Sequence, residues 1–386
     1  MTDDEACCLL RANPRARPQR GRIQIADRFE NGRSRVLGLL DSRLREGEVS
    51  DTRVSSGSTP LGCTMSHQHE LHPTKVAIRA KPFRMDVDIE TIVRRVPAWE
   101  RADLTIRPLT GGITNRNFVV LVGNDEYVVR IPGERTELLG IDRLCEAEAS
   151  QRASKLGVGP RVLGELPGVG TQITALMPGH HLESAAFVER LNDVVALVKT
   201  FHQSGPLGGA FPIHRVVEWH ARDASSHGAM PPKAYERLHQ QSRHIEAAFA
   251  VIPLAPVPCH NDLLPGNMLF ADDRVWLLDY EYAGMNDVFF DLANLSVNCG
   301  LARNADEELL ACYFGGVTAA GWARLQLMKV MSEFREGMWA VVQQAISTLD
   351  TDFVTYANDR LANCEQLASA ADFGRWLTDA RGDPRV

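Results

Sequence analysis

Residues 256–295 read PVPCHNDLLPGNMLFADDRVWLLDYEYAGMNDVFFDLANL. Two short β-prone runs, MLF and VWLL, flank the turn ADDR, a pattern that predicts a β-hairpin. Antiparallel pairing brings opposed Cα atoms to about 4.5–5.5 Å. Asn267 precedes the first run and Asp279 follows the second, so both land at the same end of the hairpin as paired oxygen donors. Hard oxygen donors in a pair, with room left for phosphate and water, suit Mg²⁺. Asp262 lies five residues before Asn267, on an irregular loop that starts at His260.

That Asp-to-Asn spacing is also the spacing of the kinase catalytic loop, H-R-D-x-x-x-x-N, whose Asp meets the acceptor hydroxyl. A base, a metal-binding Asn and a metal-binding Asp follow one another here in the kinase order.

Upstream, DVDIETIVRRVPAW (86–99) has helical spacing and ends at Pro97, and a strand is expected over Leu104–Pro108. LTGGITNRNFVVLV (109–122) is a Gly-Gly turn entering a β-branched and aromatic run, and GNDEYVVRIPG (123–133) supplies the next strand after a tight turn. Gly111 and Gly112 lack a Cβ and let the backbone approach a ligand, while Thr114 and Asn115 add donors toward phosphate oxygens. Arg130 sits inside the apolar run YVVRIP, where a charge is costly unless it is paired or used. The helix DRLCEAEASQRASKLGVGP (142–160), stopped by Gly157, offers Glu146 first and Glu148 second as its partner. A strand cation paired with a helix carboxylate is the kinase device for holding the α- and β-phosphates of ATP. TQITALMPG (171–179) then leads to the next lobe through Met177–Gly179, where an adenine ring would meet backbone groups.

Beyond this point the pattern is helical. Residues 183–204 read as one long helix with Phe187, Leu191, Val194, Val198 and Phe201 along a stripe, and His202 near its end as a packed or dipole-facing side chain. A second helix is expected over Pro231–Val251, opening on two prolines.

The whole chain has 386 residues, 44% of them hydrophobic and 24% charged. That length accommodates two or three units of roughly 100–200 residues. No apolar run approaches the roughly 18 residues of a membrane span, which argues against membrane insertion. The N-terminus lacks the basic-then-apolar order of a secretory signal, and eight cysteines without a C-x-x-C pair predict reduced thiols and a cytoplasmic location. Residues 1–84 carry 13 Arg and 2 Lys against 10 acids, whereas the remainder carries 27 basic against 39 acidic residues. A body that acidic suits a cationic partner and not a nucleic acid.

Residues 1–84 contain only Phe29 and Phe83 as aromatics, and SDTRVSSGSTPLG reads as flexible. A disordered extension is therefore expected there, apart from a short amphipathic helix around Arg35–Arg45. His67, His69 and His72 lack the supporting carboxylates or cysteines of a metal site. Met85 reads as the start of the folded region.

On HNDLLPGN and LLDYEYAGMNDVFFDLAN, with LTGGITNRNF and YVVRIPG in support, the sequence resembles the choline/ethanolamine kinase family. The likeness is strongest to its bacterial branch, within the wider aminoglycoside-phosphotransferase and protein-kinase-like fold, and runs from about Val87 to Ala371. It implies an α+β, bilobal fold with a small β-rich nucleotide-binding N-lobe (85–178), a larger, mostly helical C-lobe (179–376) and a tail (377–386). It further implies ATP and Mg²⁺, with Asp262 as catalytic base, Asn267 and Asp279 on the metal and Arg130 on the phosphates. DYE replaces the kinase DFG, and Glu281 is expected to reach a second metal or the substrate. Asp291 is expected to brace the catalytic loop backbone.

By the same likeness SEFREGMWAVVQQAIS (332–347) and TDFVTYANDRL (351–361) form the acceptor site, with Trp339 and Tyr356 at aromatic positions. Aromatic faces suit a quaternary ammonium. Glu336 stands where eukaryotic choline kinases tend to carry Trp, and a carboxylate there would suit a primary ammonium. The implied reaction moves the γ-phosphate of ATP to the hydroxyl of choline or ethanolamine. Glu333, Glu336, Asp350 and Asp352 keep an aminoglycoside or sugar kinase as the alternative. A non-catalytic nucleotide-binding module is disfavoured by the intact Asp262, Asn267 and Asp279.

Overall fold

A computed structural model describes residues 88–109, 114–166, 170–181 and 184–385. The expectations for residues 1–84, including the 35–45 helix and the three clustered histidines, lie outside these residues, as do Gly111 and Gly112. Everything described below belongs to the unit Ile78–Val386.

The chain enters through a one-turn helix, α1 (Ile89–Val93), and a 3₁₀ turn at Pro97–Trp99. The helical pattern expected to reach Pro97 stops earlier, because Val96 turns extended ahead of the proline. Strands β1 (Leu104–Leu109), β2 (Asn115–Val122) and β3 (Asp125–Pro132) follow as an antiparallel meander. Gly123 closes the β2–β3 turn with φ of 63°, a left-handed value that glycine adopts without penalty. The next helix, α2 (Arg143–Leu156), stops at Gly157 as its sequence predicts and is capped at both ends. Asp142 accepts from the N–H groups of Leu144 and Cys145, and Gly157 ends the helix at φ 69°. β4 (Val162–Leu166) and β5 (Thr171–Ala175) complete a five-stranded sheet of order β1-β2-β3-β5-β4.

One face of that sheet closes over Val120, Val129, Ile131 and Ile173, with Ile92, Val93 and Trp99 laid across them. Cys145, Ala149 and Ala153 of α2 belong instead to the core of the helical lobe. The helix docks there closely: a Cβ added to Gly209 would sit 2.7 Å from Cys145. Thus α2 is held by the large lobe while its first turn faces the sheet.

The large lobe begins with β6 (His180–His181), which pairs with a strand 90 residues on, Phe270 opposite His180. It continues through α3 (Ser184–Glu189), α4 (Leu191–His202), α5 (Ile213–Ser226) and α6 (Tyr235–Phe249). The single helix expected over 183–204 is broken at Arg190, which leaves the helical region before the chain resumes at Leu191. The buried stripe of Val194, Val198 and Phe201 is as expected. The helix expected from Pro231 begins only at Tyr235, after a turn in which Tyr235 N–H bonds to Pro232 O.

β7 (Val257–Cys259), the hairpin β8 (Met268–Ala271) and β9 (Arg274–Leu277), and β10 (Gly284–Asn286) carry the motif-bearing loops. Four helices end the chain: α7 (Val288–Asn298), α8 (Arg303–Phe314), the 28-residue α9 (Ala319–Ile346) and α10 (Phe353–Ala368), with a short α11 (Phe373–Asp379) beyond. α11 crosses the boundary expected at residue 376, and Ala380 O accepts from Arg324, so packing extends past that point.

α9 is buried on all sides by α5, α7, α10 and α11. A helix so enclosed is normally apolar throughout. This one buries Arg324, Lys329, Glu333, Arg335 and Glu336, each of them paired. No helix among the described residues is long and apolar enough to cross a membrane.

Candidate active site

The loop after β7 is held from below. Asp291, wholly buried on α7, accepts the backbone N–H groups of His260 and Asn261 at 2.7 Å each. His202 meets the same carboxylate at 2.9 Å through Nε2, and the Tyr313 hydroxyl at 2.8 Å through Nδ1. His202 is therefore a packed, fully bonded side chain. Leu263 N–H donates to Asn294 Oδ1 at 2.6 Å. Asn261 takes a left-handed φ of 64°, and its side chain is tied to Tyr282 O and to Asn286. A strained backbone over-determined by its surroundings is characteristic of functional loops. Here it presents Asp262 at a fixed height.

The hairpin register is Met268 opposite Leu277, and Leu278 N–H bonds to Asn267 O at 2.8 Å. Asp279 follows directly in a left-handed conformation, φ 59°. Asn267 spends its Nδ2 on Asp262, reaching the main-chain oxygen at 2.9 Å and Oδ2 at 3.1 Å. Its amide oxygen is left free of any hydrogen bond among the described residues. That oxygen and the Asp279 carboxylate are hard donors of the kind Mg²⁺ takes, so the residues present fit the metal.

Arg130 projects from β3 between the two lobes. It is ion-paired with Glu146 of α2 and with Asp279, and its Nη1 is 4.0 Å from Glu281. Glu148, the second sequence candidate, turns away to Arg152 and to the N–H of Gly208. Glu281 does not stand free toward solvent: Asn115 Nδ2 donates to it at 2.8 Å, and Arg143 lies at 3.6 Å. Arg143 also pairs with Glu146 at 2.6 Å. Burial raises the pKa of Glu281, with Asp279 adding to the rise, and burial lowers that of Arg143. Thr114 lies at the open end of β2, its carbonyl bonded to Gly133 N–H, and Met177 is half-buried on the segment linking the lobes.

The far side of Asp262 is built from α9 and α10. Arg335 Nη1 stands 3.3 Å from Asp262 Oδ1 and is also ion-paired with Glu336. Glu336 accepts from Tyr356 OH at 3.2 Å, and Trp339 Nε1 donates to Tyr282 OH at 2.8 Å. Trp339 and Tyr356 meet edge to face with centroids 6.2 Å apart. Burial pushes the Asp262 carboxyl up to about 7 against the pull of Arg335, with Glu336, Glu281 and Asp279 adding to the rise.

Sequence reading did not single out Arg143, Tyr282 or Arg335. No local signal marks Arg335: in MSEFREGMW it stands among Ser332, Glu333 and Glu336, where one more charge is no anomaly.

The model of the phosphotransferase enzyme family matches residues 105–328. Mouse ethanolamine kinase 2 is 30% identical over 294 residues, covering 68% of this chain and 75% of the relative. A solved choline/ethanolamine kinase family protein from Mesorhizobium loti superimposes with a TM-score of 0.64 at 30% identity, over 75% of this chain and 96% of the other. Choline kinase LicA from Streptococcus pneumoniae gives the same TM-score at 22% identity, over 73% and 99%.

Proposed function

The chain belongs to the phosphotransferase enzyme family, in its choline/ethanolamine kinase branch, and is an ATP-dependent kinase; we propose that it phosphorylates the hydroxyl of a small amino alcohol, choline or ethanolamine. The observation that carries this reading is the continuity of Asp262 with an aromatic wall. Trp339, Tyr356 and Tyr282 stand around the Arg335–Glu336 pair that touches Asp262. Arg335 already covers a face of Tyr282, so a small cation seated against Trp339 and Tyr356 would place its hydroxyl at Asp262.

In this mechanism ATP lies between the lobes with its adenine near Met177. Arg130, held by Glu146, meets the phosphates with the Thr114 side chain beside it, whereas Asn115, expected to join them, is spent on Glu281 and Arg143. Asn267 and Asp279 would hold Mg²⁺, which when bound would supply neutralisation of phosphate charge. The acceptor oxygen forms its bond to the γ-phosphorus in line with the bond that breaks, and ADP leaves with that electron pair. Asp262 orients the hydroxyl and takes its proton. Positioning and charge neutralisation carry the reaction, and no covalent enzyme intermediate is required.

Three of the four acids that would serve a polycationic acceptor, all but Asp350, are engaged elsewhere. Glu333 is bonded to Arg360 and Asn363, each at 3.4 Å, and Asp352 caps α10. Glu336 likewise already has Arg335 and Tyr356, which favours recognition by ring faces over a free carboxylate. Coupled detection of ADP release should show turnover with choline or ethanolamine and none with an aminoglycoside. Turnover confined to the aminoglycoside overturns the proposal.

A further inference from the structure

Arg335 is an anomaly. It is fully buried in the middle of α9, and its Nε and Nη2 have no hydrogen-bond partner. A buried guanidinium with two unsatisfied nitrogens is poor design for stability, since each orphaned donor has given up water and gained no partner. Its contacts lie in one direction. Nη1 meets Asp262 Oδ1 and Glu336, and the guanidinium carbon sits 4.3 Å from the centroid of the Tyr282 ring, with Phe211 at 5.7 Å.

Asp262 itself is gripped from two sides. Oδ1 faces Arg335 and Oδ2 accepts from Asn267 Nδ2 at 3.1 Å. With one donor on each oxygen, the plane of the carboxylate is set and its rotation about Cβ–Cγ is blocked. Without Arg335, a carboxylate near Glu336, Glu281 and Asp279 would turn away from its own kind.

We propose that Arg335 is a positioning residue for phosphoryl transfer, whose guanidinium, anchored by Glu336 and stacked on Tyr282, orients the Asp262 carboxylate toward the acceptor hydroxyl. This rests on the reading of Asp262 as the group that meets the acceptor. Arg335 does no bond making; it acts through Asp262.

The test is a double-mutant cycle between Arg335→Gln and Asp262→Asn, read as kcat and as KM for ATP. Arg335→Gln should lower kcat by about 10²-fold, the scale on which misplacement of a catalytic group acts. KM for ATP should stay within about 2-fold, because the nucleotide contacts lie across the cleft. On the Asp262→Asn background the same change should have no further effect. Arg335→Lys should recover part of the lost kcat. The Arg335→Gln/Glu336→Gln pair removes both charges together, leaves no unpaired carboxylate at position 336, and serves if the single variant fails to fold. Wild-type kcat in a folded Arg335 variant, or equal losses with and without Asp262, overturns the proposal. Full activity in Asp262→Asn alone would instead reject the underlying reading of the site.

Discussion

The side-chain amide of Asn267 donates to two oxygens of Asp262, the carbonyl at 2.9 Å and Oδ2 at 3.1 Å. The residue proposed to hold the metal therefore also sets the carboxylate proposed to meet the acceptor. Asn267→Ala should remove both functions and lower kcat by at least about 10²-fold. Asn267→Asp keeps a metal-type oxygen but replaces the donor with a second carboxylate facing Asp262, and it should also fail. Steady-state kinetics across Mg²⁺ concentrations checks this: rescue of Asn267→Asp to wild-type kcat by excess Mg²⁺ would show that only the metal function matters.

Asp262→Asn and Asp279→Ala should each lower kcat by at least about 10³-fold, to a residual rate that single-turnover assays still read, while thermal melting shifts by only a few degrees. Asp262→Asn keeps the shape, and Asp279 is about one-third exposed at its side chain, so neither change opens a cavity in the core. Near-normal turnover in either folded variant rejects the site assignment.

Glu146→Gln should act on the nucleotide side alone. It withdraws the helix carboxylate that steers both Arg130 and Arg143, leaving Arg130 to Asp279. KM for ATP is expected to rise by about 10-fold, with KM for the amino alcohol nearly unchanged, whereas Glu148→Gln should leave both constants within about 2-fold. The pair of variants separates the two glutamates that the sequence alone offers as partners.

Asp291→Ala should destabilise the protein by about 2–5 kcal/mol in urea unfolding. Two buried N–H groups, those of His260 and Asn261, lose their acceptor, and His202 loses its partner. Transfer should fall as well, since the loop that carries Asp262 is released. A loss under 1 kcal/mol would mean that the loop is held by its other bonds.

His220 should make stability depend on acid. Burial lowers its pKa from 6.5 to about 4, and its Nε2 lies 3.3 Å from Leu139 O. Between those two values the unfolded chain takes up a proton that the folded chain refuses, so the stability this histidine confers is present above pH 6.5 and is lost as pH falls toward 4. Glutamine has no such proton. The stability difference between wild type and His220→Gln should therefore move in favour of the variant, by on the order of 3 kcal/mol, between neutral pH and about pH 4. Urea midpoints measured across that range decide it, and a constant offset contradicts the assignment.

What the sequence determined by itself was local. The short β-prone runs around the turn ADDR specify the hairpin, and hairpin register alone brings Asn267 and Asp279 to one end. Gly157 ends α2, and the charge within YVVRIP marks Arg130. These features rest on backbone geometry within a few residues, which composition and spacing encode directly. The tertiary structure decided the pairings across long separations. Glu146 and Glu148 are nearly equivalent in sequence, and only the docking of α2 against the 209 loop turns the first toward Arg130 and the second outward. The 183–204 pattern cannot reveal the break at Arg190, because helical periodicity continues through it. Arg335 and Asp262 are 73 positions apart, as Asn115 and Glu281 are 166 apart, and no local propensity links them. Such contacts arise because burial leaves each charge only the partners that packing brings within reach, and that choice is made by the folded core as a whole.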